Sequence, residues 1–140
     1  MSLIKKSKDK IVNFEFNKEY IKVITEKISS SDAGFINNSF KEMHPADAAD
    51  IIEHLSQDDR ENLIKLSNFK IDPAIFIELN EAIQTEITKY LSNESIVFIL
   101  KNLDSDDAIK IIENLDEKNK NDILSLEQHL IHLYNILFYI

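Results

Sequence analysis

The chain has no cysteine and no tryptophan, and only one glycine and two prolines among its 140 residues. Without cysteine it can form neither a disulfide nor a thiolate-bound zinc site, which fits a reducing compartment. The scarcity of glycine argues against β-hairpins, whose tight turns need residues with positive φ. These absences favour an all-α chain.

Long hydrophobic runs and catalytic motifs are missing as well. The longest apolar stretch, residues 129–140, is well short of the roughly 20 residues that span a bilayer, so we expect no membrane insertion of this domain. The chain contains no G-x-S-x-G nucleophile motif and no glycine-rich phosphate loop. The sequence therefore predicts that the protein is not an enzyme.

The acidic charge is concentrated in the second part of the chain. The net charge is −9; residues 1–43 carry +2 and residues 44–140 carry −11. An acidic surface repels nucleic acid and attracts cations or basic partners. The alternative is that the acidity only keeps the domain in solution.

A leucine followed by a polar residue recurs at intervals of about twelve residues. Two stretches, residues 47–55 and 107–115, also share the pattern Asp-Ala-x-x-Ile-Ile-Glu-x-Leu. Such internal repetition is typical of stacked supersecondary units. The repeated leucines are Leu55, Leu66, Leu79, Leu91, Leu103, Leu115 and Leu126.

Each repeat predicts one short helix and the corner that follows it. Ala48, Ile51, Ile52 and Leu55 are spaced i, i+3, i+4 and i+7, which places them on one apolar face. Helices this short are unstable alone and must stack on their neighbours. The polar residue after the leucine is a predicted N-cap, and proline is predicted at the first helical position. The predicted caps are Ser56, Asn80, Ser92, Asp104 and Asp116, and the prolines are Pro45 and Pro73.

The predicted architecture is an all-α, right-handed superhelical solenoid built from repeats of about twelve residues. We expect residues 1–16 to be a flexible segment and residues 17–140 to form the helical domain. Before the repeats, helices are predicted over residues 18–28 and 33–43, and residues 130–140 are predicted to form a covered final helix.

Residues 43–55, Met-His-Pro-Ala-Asp-Ala-Ala-Asp-Ile-Ile-Glu-His-Leu, resemble the "HPAD…ADLLEEL" segment of MgtE-type magnesium transporters. The likeness extends from about Tyr20 to Leu126. It implies a right-handed superhelix on the cytosolic side of the membrane, followed by CBS domains and a dimeric pore. Magnesium bound between this domain and the CBS domains would favour the closed pore.

The resemblance also implies site residues. Asp106 aligns with a family acid that faces the CBS domain and shares Mg²⁺, and Asp107 is its neighbour. Mg²⁺ is therefore the expected ion, held weakly by this chain and shared with CBS domains that the chain does not contain. The family often has a glutamate where this chain has Ala74, and an aspartate where it has Lys110.

Two other interpretations stay open. His129 and His132 are spaced i, i+3 near Glu127, but no further ligand stands at matching spacing for zinc. Short-helix repeats with a His-Pro corner also occur in the middle domain of flagellar motor switch proteins, a protein–protein interaction module. That function would not depend on magnesium.

Overall fold

The computed structural model describes the backbone of residues 8–126 and 132, and the side chains of residues 18–126 and 132. All regular structure in these described residues is helical, so the predicted all-α class is confirmed. The helices are α1 Lys8–Ser29, α2 Ala33–Lys41, α3 Pro45–His54, α4 Gln57–Ile64, α5 Pro73–Phe76, α6 Glu81–Thr88, α7 Asn93–Lys101, α8 Ser105–Asn114 and α9 Glu117–Leu126.

The chain divides into two compact units, unit 1 over Met1–Lys70 and unit 2 over Ile71–Ile140. In unit 1, α1 packs against α2, α3 and α4. Its core contains the fully buried side chains of Ile24, Ile36 and Leu63. In unit 2, α7 packs against α5, α8 and α9, around a core that includes Phe76 and Leu100. The superhelix and its right hand stay predictions.

The amino-terminal helix is longer than predicted. α1 begins at Lys8, whereas the sequence interpretation placed a helix start at Lys18. The interval between them contains neither glycine nor proline that would end a helix. The helix therefore runs through the predicted boundary between residues 16 and 17; the flexibility of residues 1–16 is untested and stays a prediction.

The repeated apolar face is buried in both copies of the shared pattern. Ala48, Ile51, Ile52 and Leu55 are each at most 4% exposed. In α8 the equivalent residues, Ala108, Ile111, Ile112 and Leu115, are at most 7% exposed. Each face packs against other helices of its own unit. This burial stabilises helices that are too short to be stable alone in water.

The repeated leucines follow this pattern with one exception. Leu55, Leu79 and Leu115 are buried, and Leu66, Leu91 and Leu103 are half-buried. Leu126 is 52% exposed, so the prediction that the repeats stack through their leucine-bearing apolar faces was wrong at this position. Ile123 takes the inward position of α9 and is fully buried, while Leu126 lies at the end of the helix.

The corners between helices are capped largely as predicted. Four of the five predicted N-caps accept a hydrogen bond from the backbone N–H three residues later, at 2.8–3.1 Å. Pro45 and Pro73 stand at helix starts, and His44 Nδ1 accepts from Ala46 N at 3.3 Å. The four confirmed caps are Ser56, Asn80, Ser92 and Asp116.

Two corners have a second support that the sequence interpretation missed. Arg60, the fourth residue of α4, extends back to the end of α3, where Nη1 donates to the carbonyls of Leu55 at 2.6 Å and Glu53 at 3.2 Å. Gln84, the fourth residue of α6, donates from Nε2 to the carbonyl of Phe76 at 3.1 Å. Both side chains donate to carbonyls at or just after the end of the preceding helix, where the regular helical hydrogen bonds end.

Candidate magnesium-binding edge

The candidate site lies at the amino end of α8, where Asp104, Asp106 and Asp107 form what we call the α8 acidic edge. The buried face of α8, including Ala108 and Ile112, fixes the orientation of the helix in unit 2. Asp104 and Asp106 are exposed and Asp107 is half-buried. All three carboxylates stand in or directly before the first helical turn, where the helix dipole stabilises negative charge by roughly 0.3–1 kcal/mol each.

Asp104 corrects one prediction. It occupies the N-cap position of α8 with an extended backbone (φ −64°, ψ 153°), but its side chain makes no capping hydrogen bond. The six helices from α2 to α7 all have an N-cap side chain that accepts from a backbone N–H. The Asp104 carboxylate does not take that role, so residue type predicted its position but not its hydrogen bond.

The carboxylates of the α8 acidic edge form no ion pair with any of the described residues. Within the described residues, neither Asp106 nor Asp107 forms a side-chain hydrogen bond or an ion pair. Lys110 is exposed one turn after Asp106, at the i+4 position, yet no ion pair joins them in this part of the structure. Carboxylate oxygens without partners are suitable ligands for a hard divalent cation such as Mg²⁺.

Among the described residues, the edge offers no complete set of metal ligands by itself. No group of three or more His, Asp or Glu side chains within the described part of the chain is arranged to hold a metal ion. Mg²⁺ commonly binds one or two protein carboxylates and keeps several waters. The donor set therefore fits a magnesium ion that takes its remaining ligands from water or from another domain.

The amino end of α4 provides a comparison in unit 1. Asp58 and Asp59 are the second and third residues of α4, as Asp106 and Asp107 are of α8. There, however, the cap is neutral: Ser56 Oγ accepts from Asp59 N at 3.1 Å. The two helix starts have the same first-turn acids and differ at the N-cap, which is a capping serine in α4 and an aspartate without a capping hydrogen bond in α8.

A family model for the MgtE intracellular N domain matches residues 43–129, which is more than half of the chain. The chain belongs to the MgtE intracellular N domain family. The matched segment contains the His44–Pro45 corner and the whole α8 acidic edge. None of the curated proteins and none of the solved structures compared with the chain matches it.

The MgtE N domain is a regulatory domain associated with magnesium transporters and is not a known enzyme family. Among the described residues of this MgtE N domain, no helix is both long enough and apolar enough to cross a membrane. Of the zinc candidates, Glu127 and His129 lie outside the described residues, and His132 is exposed. The rest of the predicted final helix, residues 130–140, also lies outside them.

Proposed function

We propose that this MgtE N domain senses Mg²⁺ for a dimeric transporter from the cytosolic side of the membrane. Its α8 acidic edge closes on CBS domains of the same transporter, and a shared Mg²⁺ ion favours the closed pore. The observation that supports this proposal best is the set of carboxylates at the start of α8, within the segment that matches the family, which have no partner among the described residues.

Charge repulsion explains how ion concentration could control the closure. Two like charges 4 Å apart cost about 1 kcal/mol in water, and more where they are partly buried. With a net charge of −9, the domain would be repelled by a second acidic surface unless a cation lay between them. Mg²⁺ then shifts the equilibrium between closed and open arrangements according to its different affinity for the two states.

Lys110 should tune the affinity of this site. Its ammonium group is exposed at the i+4 position from Asp106, so it lowers the negative potential at the α8 acidic edge. We expect Lys110→Asp, which introduces the residue that the family often has, to strengthen Mg²⁺-dependent closure. We also expect the isolated domain to bind Mg²⁺ weakly, because it supplies only part of the ligand shell.

The proposal can be tested by measuring the association of this chain with the CBS domains of an MgtE-type transporter, with and without millimolar Mg²⁺. Isothermal titration calorimetry should show tighter binding when Mg²⁺ is present. Asp106→Asn combined with Asp107→Asn should abolish the magnesium-dependent gain and leave any ion-independent binding unchanged.

The matched control is Asp58→Asn combined with Asp59→Asn, which removes the equivalent two charges from α4. This variant loses the same favourable interaction between two first-turn carboxylates and a helix dipole, and it should keep the response to Mg²⁺. Association that ignores Mg²⁺ would overturn the proposal and favour an interaction module of the flagellar motor switch type. If both double variants lost the Mg²⁺-dependent gain in affinity equally, the response would depend on the overall charge of the domain and not on the α8 acidic edge.

A further inference from the structure

We draw no further inference here: the strongest candidate, the exposed apolar side chains of Phe98 in α7 and Leu126 at the end of α9 in unit 2, carries none because nothing in the part of the chain that the structure describes shows what covers them.

Discussion

Replacing Arg60 with methionine removes the hydrogen bonds that join the start of α4 to the end of α3. Arg60 is 9% exposed as a residue, and its guanidinium donates to the Leu55 carbonyl at 2.6 Å and to the Glu53 carbonyl at 3.2 Å. Methionine retains much of the apolar stem that packs in unit 1 but offers no donor. The Leu55 carbonyl, a buried acceptor, then loses this donor.

The expected cost follows from the kind of bond that is lost. A hydrogen bond with a charged partner contributes about 1.5–3 kcal/mol. The carbonyl of Ile52, 3.5 Å from the guanidinium, also accepts from Leu55 N at 3.2 Å and so keeps a partner. We therefore expect Arg60→Met to lower the free energy of unfolding by about 2–3 kcal/mol, with most of the loss at Leu55.

Gln84→Met is the matched variant in unit 2. It removes a neutral donor from the Phe76 carbonyl, which also accepts from Leu79 N at 3.1 Å. The expected loss is about 0.5–1.5 kcal/mol. Arg60→Gln should fall between the two methionine variants, because an amide can replace one of the lost bonds.

Urea unfolding followed by circular dichroism at 222 nm measures these losses. Hydrogen exchange then shows where each loss occurs: Arg60→Met should speed exchange in α3 and α4, and Gln84→Met in α5 and α6. A change of less than about 0.5 kcal/mol in the unfolding free energy of Arg60→Met would refute this expectation. So would a larger loss of unfolding free energy in Gln84→Met than in Arg60→Met.

Three further predictions concern stability and use thermal melts. His44→Ala should cost about 1 kcal/mol because it removes the N-cap of α3, whereas His44→Asn should cost little. Ser31→Gly should stabilise the chain by about 0.5–1 kcal/mol, since Ser31 has a φ of 59° that side chains disfavour; a loss would contradict this. Leu55→Ala should lower the free energy of unfolding by about 2–5 kcal/mol, because Leu55 is only 4% exposed. Leu126→Ala should lower it by less than about 1 kcal/mol, because Leu126 is 52% exposed. Equal losses in the two variants would refute the burial argument.

The all-α class and most of the caps could be predicted because they depend on local residue chemistry. A serine or asparagine between two apolar helical segments is a preferred N-cap, because its side-chain oxygen accepts a hydrogen bond from a free N–H in the first turn of the next helix. The apolar faces were equally predictable, since the spacing of Ile51, Ile52 and Leu55 allows only one side of a helix to be buried.

The hydrogen bonds from Arg60 and Gln84 to the preceding corners could not be predicted from local residue chemistry, because they join residues in successive helices. One signal was available: both are polar residues three positions before a fully buried one, Leu63 and Ile87. A polar side chain on the apolar face of a helix must find a partner when it is buried. This signal predicts a bond but not the acceptor.

Asp104 shows the limit of residue type as a predictor. Its position before α8 was predicted correctly, but the orientation of its carboxylate depends on the side-chain rotamer and not on sequence spacing. Among the described residues, none of the three carboxylates at the α8 acidic edge forms a side-chain hydrogen bond or an ion pair. Under the proposed function, the remaining magnesium ligands would come from water or from CBS domains, which the periodicity of these repeats cannot identify.

The most direct measurement of the central claim is the distance between α8 and a CBS domain as Mg²⁺ is added. Because the chain has no cysteine, a spin label at Glu113→Cys, on the exposed side of α8, is unique within it. With a second label on the CBS domain, double electron–electron resonance should give a short, narrow distance distribution at millimolar Mg²⁺. The distribution should be longer and broader without the ion. An unchanged distribution, or the same shortening when Asp106 and Asp107 are replaced by asparagine, would contradict the account.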